Sequence, residues 1–144
     1  MNVTETIYAL ALASNSQPKQ HFQSAIAQIS QLGEFKFSKI YLLPCRDGIG
    51  ADYWNAACLV RSRMNAAEMT VYLKQMEAAS GRIRPSHNIA LDVDLIAWGN
   101  SLDHMQFNAK KMPLALDVKI PMLDIWPDAA FAHEPHHFPV VSCH

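Results

Sequence analysis

No glycine-rich phosphate loop occurs in the 144 residues: neither G-x-x-x-x-G-K-[ST] nor G-x-G-x-x-G is present. A nucleotide, if one binds, must be held by arginines and metal instead. No block of basic residues occurs either, and the formal net charge is −1. That excludes nucleic-acid binding through a broad electrostatic surface, while a local positive pocket stays open. No apolar run approaches the roughly 20 residues a bilayer-spanning helix needs, which argues against a membrane protein. The first residues, MNVTETIYALALASN, carry Glu5 and no basic segment, so they read as a strand rather than a signal peptide. Cysteine is scarce and scattered, at Cys45, Cys58 and Cys143. An odd count without a framework predicts reduced thiols and a cytoplasmic protein.

What is present suits one core. Half of the residues are hydrophobic and 17% are charged, which fits a single domain over residues 1–144. Ile7 to Ala13 is a short apolar run closed by the polar turn Ser14-Asn15-Ser16-Gln17-Pro18, and predicts a buried strand. Phe22, Ile26, Ile29 and Leu32 recur at helical spacing until Gly33. Phe35 to Leu43 alternates as a strand does, with one slip of phase. Pro44 to Asp52 reads as a loop, and Tyr53 to Val60 as the next strand. Asn65 and Glu68 form a capping-box pattern for a helix through Met69, Leu73, Met76 and Glu77, stopped by Gly81. Leu91 to Trp98 is another strand, and the remainder from Gly99 reads as an irregular extension. Strand, helix, strand, strand, helix, strand is the order of an α+β, ferredoxin-like antiparallel sheet with helices on one face.

The stretch GRIRPSHNIALDVDLIAW, residues 81–98, holds two pairs of charges at i, i+2: Arg82 with Arg84, and Asp92 with Asp94. In a strand such positions share a face, so Asp92 and Asp94 point one way while Leu91, Val93 and Leu95 fill the core. Paired carboxylates suit a hard cation such as Mg²⁺, which keeps water and phosphate oxygens as its other ligands. Arginines on the preceding loop offer planar forks that match phosphate. The alternative is a solvated edge strand after a solvated loop. Trp98 and Trp126 read as core, and strand alternation places Trp98 on the face of the aspartates.

Several segments then fall in a recognisable order. Ala11-Leu12-Ala13-Ser14-Asn15 ends the first strand, and Tyr53-Trp54-Asn55-Ala56-Ala57 opens a later one. Glu77 precedes Gly81-Arg82-Ile83-Arg84, followed by Leu91-Asp92-Val93-Asp94-Leu95, Gly99-Asn100 and Trp126-Pro127. This order resembles the 6-hydroxymethyl-7,8-dihydropterin pyrophosphokinases of folate biosynthesis, from about Ile7 to Pro127. The resemblance implies a ferredoxin-like fold and transfer of diphosphate from ATP to the pterin's hydroxymethyl group, with AMP released. It implies that Asp92 and Asp94 are Mg²⁺ ligands and that Arg82 and Arg84 belong to the catalytic loop. It places Pro44, Tyr53, Asn55 and Leu123 at the pterin and Glu77 at the nucleotide, where Lys111 and Lys119 are further candidates from their position nearby. The protein is expected to be a monomer.

The sequence departs from that family at defined points. Ala13 stands for a glycine, and Leu43-Pro44-Cys45 for a Thr-Pro-Pro turn. Pro85-Ser86-His87-Asn88-Ile89-Ala90 replaces a longer loop with a tryptophan and a Pro-Arg before the Leu-Asp. Pro113-Leu114-Ala115 stands for Pro-His-Tyr, and Pro121-Met122-Leu123 for Arg-Gly-Phe. Lys110, Lys111 and Lys119 restore charge without the bidentate fork of arginine. These losses define a second expectation: a paralogue that binds a pterin or nucleotide without transfer, or acts on another substrate. The tail His133-Glu134-Pro135-His136-His137, with Cys143-His144, matches no closed tetrahedral metal motif. It reads as a proline-interrupted surface segment, and His87 as an exposed loop residue.

Overall fold

The computed structural model describes residues 4–46, 48–81 and 89–143. Strand β1 (Thr6–Ser14) is the sheet's centre, flanked on both sides by antiparallel partners: β4 (Tyr53–Ser62) and β5 (Asp92–Gly99). Beyond β4 lies β3 (Ile40–Leu43), then the short β7 (Val140–Val141). Beyond β5 lies β6 (Met105–Phe107), and β2 (Phe35–Phe37) pairs with the far half of β4. The predicted strand 35–43 is thus two strands, and the slip of phase marks their break. At the break the Ser38 N–H donates to Ala57 O at 2.9 Å, and Ser38 Oγ accepts from Ala57 N at 2.8 Å.

Helix α1 (Pro18–Ser30) links β1 to the β2–β3 edge, and α2 (Ala66–Ala79) links β4 to β5. Each crossover returns to a strand one place beyond a neighbour. Right-handed crossovers of this kind put both helices on the same face. The capping box of α2 is complete: Asn65 Oδ1 accepts from Glu68 N at 2.8 Å, and Glu68 Oε1 accepts from Asn65 N at 3.0 Å. Phe22, Ala25 and Ile29 of α1 and Met69, Leu73 and Met76 of α2 pack on Tyr8, Leu10, Leu12, Val93 and Leu95.

The α+β class and antiparallel sheet hold, but the sheet is covered on both faces. A third helix, α3 (Leu116–Ile125), lies within the stretch expected to be irregular, and packs on the opposite face through Val118, Met122 and Ile125. It was hidden because it is apolar on most sides and contains Pro121. The amphipathic pattern that reveals a surface helix is absent there. Beneath it β1 presents Ala9 and Ala11, and β4 presents Ala57, where the first face has Tyr8, Leu10 and Leu12. Alanines under α3 leave room between helix and sheet. Among the described residues, no helix is long and apolar enough to cross a membrane.

Candidate active site

The aspartate pair sits on the alanine face. Ala11 pairs with Asp94 and Ala13 with Asp92 across the β1–β5 ladder, while Leu91, Val93 and Leu95 enter the core against α1 and α2. One expectation fails. The register shifts between Ala9 and Leu10, so Ile96 is an extra residue in β5 and alternation breaks there. Ile96 and Ala97 both face α3, and Trp98 packs with Val93 and Leu95 instead of sharing the aspartates' face.

Two concavities meet at this pair. A smaller cavity of about 270 Å³ lies between the alanine floor and the start of α3, and includes Tyr53, Asn55, Asp92, Asp94 and Asp117. A larger cleft of about 670 Å³ runs along β5 beside α2, and includes Thr70, Lys74, Glu77, Lys110 and Lys111 together with the same Asp92 and Asp94. Small-molecule sites typically enclose about 300–1,000 Å³, so the first suits one compact ring system and the second something bulkier.

The elements around the pair hold it in place. Beyond the β6 pairing, β5 has no further strand partner on that edge among the described residues, and Glu77 Oε2 accepts the Val93 N–H there at 2.8 Å, between the two aspartates. Asn108 secures the next stretch of β5. Its N–H donates to Ile96 O at 2.8 Å, its Nδ2 donates to Leu95 O at 2.9 Å, and its Oδ1 accepts from Lys110 N at 3.2 Å. This pins the turn Ala109–Lys111 to β5 and brings Lys111 Nζ within 3.0 Å of Asp94 Oδ1. Asn15, at the end of β1, accepts from Ile89 N at 2.6 Å and donates to Ala51 O at 3.3 Å, tying two loops that border the site.

In the smaller cavity, Asn55 is almost fully buried and donates Nδ2 to Tyr53 O at 3.1 Å. Across from it stands a pair that the sequence reading missed. Arg46 Nε donates to Asp117 Oδ2 at 2.7 Å, and its second nitrogen to Oδ1 at 2.6 Å. Asp117, with Asp94 and Asp92 nearby, stabilises the guanidinium and raises its pKa. The partners are 71 residues apart, so no local pattern announces them. Beyond α3, Tyr41 donates to Asp124 Oδ2 at 2.8 Å; burial and that carboxylate push its phenol up to about 12. Burial also pushes the Cys58 thiol up, so it is an inert core residue.

Of the residues singled out from the sequence, Tyr53, Asn55, Asp92 and Asp94 share the smaller cavity, and Glu77 and Lys111 join the aspartates in the larger cleft. Pro44 is exposed at the end of β3, just before Cys45, and does not line either concavity. Lys119 does not line them either, and Leu123 packs into the core under α3. Arg82, Arg84 and His87 lie outside the described residues. Among the described residues, no three His, Cys, Asp or Glu side chains converge as metal ligands. A two-carboxylate donor set still fits Mg²⁺, which commonly takes one or two carboxylates and completes its shell with water and phosphate.

A search of curated proteins finds no significant match to this chain. A family model does match, over residues 9–135: that of 7,8-dihydro-6-hydroxymethylpterin-pyrophosphokinase. The match spans β1 through α3 and takes in both concavities. With most of its length covered, the chain belongs to the 7,8-dihydro-6-hydroxymethylpterin-pyrophosphokinase family.

Proposed function

We propose that the protein transfers diphosphate from ATP to the hydroxymethyl group of 6-hydroxymethyl-7,8-dihydropterin, with Mg²⁺ held at Asp92 and Asp94. Family membership supports pyrophosphokinase activity in folate biosynthesis generally. The observation that carries the finer reading is that one pair of carboxylates lines both concavities. A reaction joining two substrates through a metal-bridged diphosphate needs that arrangement. The pterin would occupy the smaller cavity, on Tyr53 and Asn55, and the nucleotide the larger cleft, beside Lys74, Lys110 and Lys111.

In this reaction the hydroxymethyl oxygen attacks the β-phosphorus of ATP. The bond from that phosphorus to the α–β bridging oxygen breaks, AMP leaves, and the hydroxymethyl proton passes to solvent. A bound Mg²⁺ supplies charge neutralisation for the diphosphate. The chain's own residues do the positioning. Glu77 and Asn108 fix the edge of β5 at two points along the strand, which holds the carboxylates in position for transfer. Lys111, paired with Asp94 at 3.0 Å on the cleft wall, would offer its ammonium to a phosphate oxygen of the nucleotide.

A second reading, a paralogue that binds a pterin or nucleotide without transfer, draws on the same contact. An ammonium on Asp94 already neutralises one carboxylate without metal. Calorimetric titration with a non-hydrolysable ATP analogue, with and without Mg²⁺, followed by an AMP-release assay, separates the two. Mg²⁺-dependent nucleotide binding with pterin-dependent AMP release supports transfer. Pterin binding without AMP release establishes the second reading.

A further inference from the structure

The smaller cavity is rich in carboxylates. Asp92, Asp94 and Asp117 contribute carboxylates to it, and Arg46 is the one cation on its lining among the described residues. Asn55 commits its Nδ2 to Tyr53 O. Its Oδ1 has no donor among the described residues, although the side chain is almost wholly buried at the cavity wall. A ligand that satisfies this oxygen must offer a donor.

Among the carboxylates, Asp117 is the best placed to receive donors. Its side chain is 16% exposed, whereas that of Arg46 is 68% exposed. The carboxylate therefore belongs to the cavity and the guanidinium covers it from the solvent side. The contact is a complete fork, two nearly parallel N–H···O bonds of 2.7 and 2.6 Å. A guanidinium edge has the donor spacing of a 2-aminopyrimidinone ring, whose N3–H and 2-amino group form a cyclic guanidine. The two present the same pair of parallel donors to a carboxylate.

We propose that Asp117 reads the cyclic guanidine edge of the substrate, and that Arg46 is an internal stand-in which the ring displaces. This rests on the smaller cavity being the pterin site. Displacement is feasible because the guanidinium of the pair is largely solvated, and the incoming ring adds apolar burial on the Ala11 floor. On release the guanidinium, already 68% exposed, is compensated by solvent. Asp117 is on this account a binding and specificity residue, and Arg46 a competitor with the substrate.

The test compares two ligands on three proteins. The ligands are 6-hydroxymethylpterin and 6-hydroxymethyllumazine, which carries a carbonyl where the pterin has its 2-amino group. The proteins are wild type, Arg46→Gln and Asp117→Asn, each titrated by calorimetry with the ATP analogue and Mg²⁺ present. Wild type should prefer the pterin by about tenfold or more, because the lumazine leaves an acceptor unpaired. Arg46→Gln should bind the pterin several-fold more tightly than wild type. Asp117→Asn should lose about tenfold in pterin affinity and most of the preference over lumazine. If wild type binds the pterin but Arg46→Gln weakens it, or Asp117→Asn keeps the preference, this inference fails and the ion pair is a strut. If neither wild type nor Arg46→Gln binds the pterin, the proposed substrate itself is wrong. Arg46 is exposed enough that its variant folds even should Asp117→Asn prove unstable.

Discussion

Removing the carboxylate of Glu77 should loosen the strand that carries the aspartates. Glu77 reaches from the last turn of α2 to the edge of β5, where its Oε2 accepts the Val93 N–H at 2.8 Å. Glu77→Ala leaves that N–H without its partner in a half-covered position. A hydrogen bond to a charged group contributes about 1.5–3 kcal/mol. Water can reach the edge in part, which puts the cost near the lower end, at about 1.5–2 kcal/mol. For a domain of this size each kcal/mol lowers Tm by roughly 3–5 °C, so the expected fall is about 5–10 °C. Glu77→Gln retains an acceptor at the same reach and should recover at least half of it. Thermal unfolding followed by circular dichroism reads both. Mg²⁺ affinity should fall in Glu77→Ala, since Asp92 and Asp94 flank the released N–H. The reasoning is refuted if Glu77→Ala melts within about a degree of wild type, or if Glu77→Gln melts as low as Glu77→Ala.

Other substitutions probe the site and its surroundings. Asp92→Ala should abolish AMP release while shifting Tm by no more than about 3 °C, because the side chain is half-buried at a cavity wall rather than in the core; a fully active variant would remove the metal-binding role. Ala11→Leu places three more carbons on the floor of the 270 Å³ cavity. It should fold and lose about tenfold or more in pterin affinity, as an overpacked contact costs about 1–3 kcal/mol; unchanged pterin titration would show that the ligand sits elsewhere. Tyr41 has its phenol raised from 10.0 to about 12 by burial and Asp124. The folded state then holds its proton more tightly than the unfolded chain does. Its contribution is complete below about pH 10 and is lost as pH rises towards 12, by up to about 3 kcal/mol. Urea unfolding at pH 8, 10 and 11 should show a smaller alkaline loss in Tyr41→Phe than in wild type, and equal losses would count against the Asp124 contact.

What the sequence disclosed follows from how far each signal reaches along the chain. The capping box spans Asn65 to Glu68, and the apolar spacing of α1 and α2 spans single helices, so both were legible. The Asp92–Asp94 pair was legible because strand period keeps i and i+2 on one face. Trp98 was misplaced because the bulge at Ile96 is defined by pairing with β1, which no window around Trp98 contains. Helix α3 was missed for lack of a polar stripe, and its apolar residues are explained only by the sheet it covers. Arg46 and Asp117 were missed because nothing links residues 71 positions apart except the fold itself.

The two ion pairs of the site divide along the same line as its two concavities. Arg46 and Asp117 belong to the smaller cavity, and Lys111 with Asp94 to the larger cleft. Both pairs are partly exposed, so neither contributes much to holding the fold. Their cations sit on carboxylates that a ligand would use: Asp117 for a donor edge, Asp94 for a metal. On the proposed function, each arriving ligand would exchange one ionic partner for another instead of uncovering a bare charge. In such an exchange the desolvation of the carboxylate has been met in the resting protein. On the proposed function, Lys111 would then be on the cleft wall beside the phosphates of the nucleotide. Of the lysines on that cleft, Lys111 ends the turn that Asn108 fixes through three bonds to β5 and to the turn itself.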